Sequence, residues 1–367
     1  MSNNPWSGRR VLVTGHTGFK GSWLIQWLVS LGAEVHGYAL APAPGPDGQQ
    51  PLFAAAGLKS ILASHTLGDI GQTEKIFGLL KDLRIEVIFH LAAQALVRDS
   101  YAIPFETIRV NTLGTASVLE AVRLLKAPLA VVLITSDKCY HNQEQIWGYR
   151  EIDPMGGSDP YSASKGAAEI VAQCYRDSFF SPLRLDQHQV RLATVRAGNV
   201  IGGGDWAKDR LVPDLVRALK SGAPALIRNP KAIRPWQHVL EPLSGYLTIA
   251  EKLICEPLEP KWCSAWNFGP EPKDAWPVAR LANFFTKLWG PKARWEDISE
   301  PNAPPEAGRL ELSIDKARHI LGWAPRWTIE TALSKTAAWY LASTEKDFQA
   351  QKACQKDLEE YLAVYEG

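Results

Sequence analysis

Arg9-Arg10-Val11-Leu12-Val13-Thr14-Gly15-His16-Thr17-Gly18-Phe19-Lys20-Gly21 constrains what this chain can fold into more than any other stretch. Val11 to Thr14 suit a buried parallel strand. The chain then turns on glycine into Ser22-Trp23-Leu24-Ile25-Gln26-Trp27-Leu28, apolar at helical spacing. Strand, glycine turn and helix in this order open a dinucleotide-binding βαβ unit. A diphosphate needs glycine there because a Cβ would hold the backbone away, and the helix N-terminus offers free N–H groups to the phosphate oxygens. The spacing of Gly15, Gly18 and Gly21 is GxxGxxG, not GxGxxG. The same letters also fit a glycine turn opening an ordinary α/β helix, so the rest of the chain has to decide.

The chain has 367 residues, 46% of them hydrophobic, enough for a large core and two lobes. Lys plus Arg number 40 against 39 Asp plus Glu, a net charge of +1 with no basic stripe, which argues against a nucleic-acid partner. No window approaches about 18 continuous apolar residues, and residues 1–8 contain no apolar signal segment, so no membrane association and a cytoplasmic location are expected. Cys139, Cys174, Cys255, Cys263 and Cys354 form neither a CxxC pair nor a disulfide framework, and no metal site is expected. Most of the 14 tryptophans are expected in the core or an interface.

Glu34 to Tyr38 reads as the second strand. In NAD enzymes an Asp or Glu at its end bonds the adenosine ribose, but here Ala39-Leu40-Ala41-Pro42 follows. No arginine cluster marks NADP either. His16 and Lys20 stand in the glycine turn, where contact with the adenosine side and plain solvation are both open. Residues 41–51 are a loop by their Pro and Gly content. The next strand, Ser64 to Ile70, carries Asp69, a candidate both for bonding the adenine amino group and for capping the helix from Gln72 to Leu83, two compatible readings. Glu86 to Gln94 is a strand ending in small residues, and a long helix from Pro104 to Leu125 carries a polar Asn111 that needs partners if buried.

Leu129 to Ile134 is fully apolar and ends in Thr135-Ser136-Asp137-Lys138. Four polar residues at the carboxyl end of a central strand mark where an α/β active site is expected. Asp159-Pro160-Tyr161-Ser162-Ala163-Ser164-Lys165 then opens a helix to about Phe180. Tyr161 and Lys165 are i and i+4 and share a face. A free phenol titrates near ~10, and an ammonium one turn away favours its anion, so Tyr161 is a candidate base and Ser136 a second ligand for the same substrate hydroxyl.

TGHTGFKG, GDI, HLAAQ, the Asn111 helix, TSDK and YSASK together resemble the extended short-chain dehydrogenase/reductase family. The resemblance implies a Rossmann-type doubly wound parallel sheet with a smaller C-terminal lobe for substrate. The expected division is 1–198 for the NAD-binding domain, with about 237–262 returning to it, and 199–236 with 263–367 for the lobe. The family's catalytic set maps onto Ser136, Tyr161 and Lys165. Bound NAD is expected against Gly15, His16, Thr17, Gly18, Phe19, Lys20, Gly21, Asp69, Ile70, Leu91, Ala92, Ala93, Gln94, Asn111, Tyr161 and Lys165. Substrate contacts are expected from Asn199, Gly204, Asp205, Arg210, Arg234, Trp236, His238 and Arg309. Arg234 is suited by chemistry to a diphosphate, although a surface salt bridge is equally open. Glu306-Ala307-Gly308-Arg309 is a candidate late lid, and the helices after Ile329 are expected to be packing elements.

HTGFKG, TSDKCY, WGYRE, DPYSASKG, RAGNVIGGGDW and IRNPKAIRPWQHVLEPLSGY are similar to the 4,6-dehydratase branch of that family. The likeness implies CDP-glucose as substrate, and the cytosine base comes from the resemblance alone. It further implies that Tyr161 takes the proton of the 4-hydroxyl during oxidation at C4, that water is lost across C5 and C6, and that the cofactor is recycled. Related enzymes acting on dTDP-glucose carry Thr-Asp-Glu where this chain has Ser136-Asp137-Lys138. By the same resemblance Asp137 protonates the leaving hydroxyl, and Lys138 replaces the glutamate base at C5, with a water as the other candidate. A homo-oligomer built on the Asn111 and Tyr161 helices is implied, as is supply of a 3,6-dideoxyhexose for lipopolysaccharide O-antigen. A nucleotide-sugar 4-epimerase shares Ser, Tyr and Lys but has no need of Asp137-Lys138. A silent dinucleotide sensor would not need the Tyr and Lys that are present here.

Overall fold

The computed structural model describes residues 4–299 and 308–364. Its strands are β1 (Arg10–Thr14), β2 (Glu34–Ala39), β3 (Ser64–Leu67), β4 (Val87–His90), β5 (Leu129–Ile134), β6 (Val190–Ala197), β7 (Val200–Ile201), β8 (Ala225–Ile227), β9 (Ile233–Arg234), β10 (Gln237–His238), β11 (Ala265–Phe268), β12 (Trp276–Pro277) and β13 (Trp295–Asp297). Seven of them form one sheet in the order β11-β6-β5-β4-β1-β2-β3, every pairing parallel. The order reverses between β1 and β4, which opens a crevice over the strands' carboxyl ends.

The sheet is buried on both faces, so β5 and the first three residues of β4 are apolar without alternation. Their side chains still alternate in direction. Val11, Val13, Val87, Phe89, Val132 and Ile134 enter one core, while Leu12, Ile88, Val131 and Leu133 enter the other. The second core is closed by Ile76 and Leu80 of the Thr73–Asp82 helix, by Val118 and Leu119, and by Ala172. Truncating a side chain as enclosed as Leu12 to alanine costs about 2–5 kcal/mol.

The first core continues without a break into the C-terminal half, through Val216, Ile227, Phe285 and Tyr361. The small pairs β8·β13, β9·β12 and β7·β10 build the lobe over the cleft. The helix Leu240–Cys255 packs on β5 and β6, within the expected return segment. The return goes further than expected, because β11 pairs with β6 as the edge strand. Trp266 and Phe268 of this strand are fully buried. Tyr361 of the last helix meets Trp27 at 5.8 Å, so the terminal helices do pack onto the first lobe.

The long helix at 104–125 is interrupted. Pro104–Ile108 and Gly114–Leu125 are α-helical, and Arg109–Leu113 between them is a π turn that carries Asn111. Such turns re-aim side chains at functional sites. Gly114 lies against Ile70, where a Cβ would meet Cγ2 at 2.6 Å.

Candidate active site

One cleft of about 1850 Å³ runs from the glycine turn to the C-terminal lobe, roomy enough for two ligands side by side. At its first end the turn is held by main-chain contacts. A Cβ on Gly15, whose φ is +73°, would lie 2.7 Å from the Ala92 nitrogen. One on Gly21 would lie 2.3 Å from the Gly15 oxygen. Gly18 begins the helix Phe19–Ser30 with no side chain capping it, so the first-turn N–H groups are left for a ligand. Thr17, Gly18, Phe19, Lys20 and Gly21 line the cleft, as do Asp69, Ile70, Leu91, Ala92 and Ala93. This cradle fits a dinucleotide diphosphate. Tyr38, Ala39 and Leu40 line the far end, where the carboxylate usual in NAD sites is absent.

Several expected cofactor contacts sit elsewhere. His16 does not line the cleft and is not solvated. It is buried with Nε2 2.7 Å from Nδ1 of His65 and its ring edge-on to Phe53, and burial with His65 pushes it down to about 4. Gly37 of β2 makes room for it, since a Cβ there would meet the imidazole at 2.5 Å. Gln94 and Asn111 stand behind the wall. The Asn111 side chain accepts from the Gln94 N–H and donates to the Gln94 oxygen and Ser164 Oγ, tying the β4 loop to the Tyr161 helix. Asp69 is gripped by Arg109, at 2.9 and 2.7 Å, and accepts the Gly71 N–H. That arginine holds the carboxyl down to about 2. Lys20 faces the cleft and is enclosed by it. Burial, with Arg210 and Lys165 nearby, pushes its amine down to about 7.

The polar end of β5 faces the same space. Ser136 Oγ donates to Asp137 Oδ1 at 2.8 Å and accepts the Lys138 N–H. Asp137 is buried, and its Oδ2 has no protein partner. Asp159 accepts the Ser162 N–H at 2.9 Å and starts the helix Pro160–Ser178, which brings Tyr161 and Lys165 to the cleft opposite β5. Burial pushes the Tyr161 phenol up to about 12, while the Ser136 hydroxyl and Arg210 pull the other way. The lysine-assisted phenolate expected from i, i+4 spacing is therefore outweighed by desolvation. Lys165 is itself pushed down to about 8 by burial, opposed by Cys139 and Glu169.

Asn199, Asp205, Arg210, Arg234 and Trp236 line the lobe end. Arg210 Nη1 is 2.8 Å from Asp205 Oδ2, and Asn199 Oδ1 has no protein partner. Gly204, His238 and Arg309 are not on the wall. Gly204 is a turn residue with φ +84° pressed on Leu52. His238 is fully buried between Trp23 and Trp327. Arg309 pairs with Glu311 at 2.8 Å, and Glu306 and Ala307 of the expected lid lie outside the described residues. Sequence reasoning missed Asp209. It takes a left-handed φ of +58° and pairs with Arg228 at 3.1 Å and Arg98 at 3.6 Å. Lys208 meets Asp99 at 2.9 Å beside it. These ion pairs join segments apart in sequence, and no local pattern announces them.

The five cysteines are free, and among the described residues no group of His, Cys, Asp or Glu is placed to hold a metal. No helix among them is long and apolar enough to cross a membrane.

The chain matches a family model over residues 11–255 and belongs to the NAD dependent epimerase/dehydratase family. Within it, the chain is 50% identical over 342 residues to the CDP-glucose 4,6-dehydratase of Salmonella typhimurium, covering 93% of each. The fold is similar to that of dTDP-glucose 4,6-dehydratase from Bacillus anthracis in complex with NAD, with a TM-score of 0.74 at 20% identity over 92% of this chain and 98% of that one. It is as similar to UDP-glucose 4-epimerase from Thermotoga maritima, TM-score 0.74 at 18% identity over 92% and 100%. The fold alone therefore does not separate the two chemistries.

Proposed function

We propose that the chain converts CDP-glucose to CDP-4-keto-6-deoxy-glucose and water with a recycled NAD. The observation that carries this reading is the convergence of Ser136, Asp137 and Lys138 with Tyr161 and Lys165 on one cleft, in a chain half identical to a named CDP-glucose 4,6-dehydratase. NAD in the glycine cradle supplies the acceptor for the C4 hydrogen and its return to C6. Tyr161 takes the proton of the 4-hydroxyl, its phenolate favoured against burial by Ser136, Arg210 and the positive nicotinamide of bound NAD⁺. Lys165 supplies positive charge on the same helical face. The C4 ketone acidifies C5; Lys138 removes that proton and gives one back to C5 as the hydrogen returns to C6. Asp137, with its unpartnered Oδ2, protonates the departing 6-hydroxyl. An epimerase needs neither of these last two groups.

Arg210, Arg234 and Asn199 hold the substrate diphosphate, a reading supported by their lining the lobe end of the cleft. The chain acts as a homo-oligomer through the helices of Asn111 and Tyr161. The exposure of the apolar Phe105, Ile108, Leu113 and Ile170 on these helices, Phe105 at 77%, supports this. A cytoplasmic place and a role in supplying 3,6-dideoxyhexoses for O-antigen belong to the same reading. The test is incubation of the protein and NAD⁺ with CDP-, dTDP-, UDP- and GDP-glucose. Loss of one water from CDP-glucose alone is expected. An isomer of unchanged mass would instead favour the epimerase.

A further inference from the structure

Behind the cleft wall lies a buried charge pair that the reaction above does not use. Glu169 is one helical turn beyond Lys165, so Tyr161, Lys165 and Glu169 follow at i, i+4 and i+8 along one helix. Its carboxylate is buried, and both oxygens are occupied. Oε1 accepts from Thr135 Oγ1 at 2.5 Å. Oε2 accepts from Thr194 Oγ1 at 2.8 Å and from Arg196 Nη2 at 2.9 Å. Arg196 is buried as well. Its Nη1 donates to Tyr140 Oη at 2.6 Å and to the Glu151 oxygen at 3.1 Å, and Tyr140 Oη donates to Asn267 Oδ1.

These bonds join the parts that must keep register. Thr135 directly precedes Ser136 and Asp137, and its own N–H is held by the Val195 oxygen at 2.9 Å. Thr194 and Arg196 lie on β6. Glu169 thus clamps the Tyr161 helix to the ends of both strands. Neither Glu169 nor Arg196 lines the cleft, so substrate and cofactor do not touch them.

We propose that Glu169, clamped by Arg196, is a positioning residue that sets the Tyr161 helix against Ser136 and fixes a carboxylate one helical turn from Lys165. The proposal rests on the dehydratase reading for what Tyr161 and Ser136 do, while the effect on Lys165 stands without it. Charged and titratable neighbours of Lys165 are Tyr161 and Glu169 on its own helix, Cys139 after β5, His90 at the end of β4 and Lys20 on the first helix. Among them Glu169 is the carboxylate. Around Glu169 stand Arg196 and, further along the helix, Arg176. Burial works against a charged Glu169, yet Arg196 and the hydroxyls of Thr135 and Thr194 outweigh it and keep it ionised.

The experiment compares wild type with E169Q, E169D and the double variant E169M/R196M. An apolar replacement of a buried ion pair commonly keeps stability, so the double variant guards against a simple failure of E169Q to fold. Lys165 is titrated by pH-dependent acylation read by mass spectrometry, without substrate. Turnover of CDP-glucose is followed in parallel. In E169Q and in the double variant the Lys165 midpoint falls by about half a unit or more, and kcat falls about tenfold with KM within about twofold. E169D, which keeps the charge, restores most of the midpoint. A wild-type midpoint and kcat in the folded double variant would overturn the proposal. If wild type leaves CDP-glucose untouched, the dehydratase reading fails, and the acylation midpoint still decides the role of Glu169.

Discussion

The two ends of the cleft are made of different material. The dinucleotide end is backbone: Gly15 and Gly21 are pressed on main-chain atoms, and the Phe19–Ser30 helix presents uncapped N–H groups. The sugar end is side chain: Asp137, Tyr161 and Lys165 are buried, and the elements that carry them are tied by hydrogen bonds of Asp159, Ser164, Thr135 and Glu169. Changes at the first end should act on cofactor retention with little effect on chemistry. Changes at the second should act on chemistry with cofactor still bound.

The largest effect is expected from Tyr161→Phe. It should lower kcat by about 10²–10⁴ by removing the proton acceptor, with NAD affinity unchanged in calorimetry. Loss of NAD binding in that variant would break the comparison. Lys138→Met should slow turnover by about 10²-fold and also stop exchange of the C5 hydrogen with deuterated water, while oxidation at C4 continues. Exchange at the wild-type rate would assign the C5 base elsewhere. Gly21→Ala should act at the other end, weakening NAD binding by about tenfold or more, because the new Cβ would strike the Gly15 oxygen and shift the turn. Circular dichroism should show its fold intact.

A smaller effect concerns stability. His90 and His238 are neutral in the fold, pushed down to about 3 mainly by burial. The unfolded chain takes up these protons near pH 6.5, so the folded state keeps its full stability above that pH. As the pH falls toward the folded values, stability is lost, by roughly 3 kcal/mol per histidine at pH 4. Melting temperatures should fall steeply below pH 6.5, and His238→Gln should make the slope shallower. A curve flat to pH 4.5 would contradict this. The smallest effect belongs to the exposed Lys208–Asp99 pair. Lys208→Ala should leave the melting temperature unchanged within about a degree.

The same contrast governs what a reader of the sequence can recover. The glycine turn is legible because main-chain geometry demands particular letters at fixed spacing. Strands β4 and β5 are legible from their unbroken apolar runs, and Tyr161 with Lys165 from helical spacing. The place of His16 is not, because its partners, His65 and Phe53, meet it only through tertiary packing. Gly204 and His238 lie in a suggestive string yet serve a turn and the core. Arg109 and Asp209 work through pairs between distant segments, which no local pattern encodes. Glu169 does leave a trace, since it continues the spacing of Tyr161 and Lys165 by one more turn.

The most direct test of the dehydratase reading tracks one atom. CDP-glucose carrying deuterium at C4 is turned over by the protein with unlabelled NAD⁺, and the product is read by NMR and mass spectrometry. The expected result is deuterium at C6 of a product lighter by one water, transferred within the same molecule. Deuterium retained at C4 of an isomer, or washed out without appearing at C6, would contradict it.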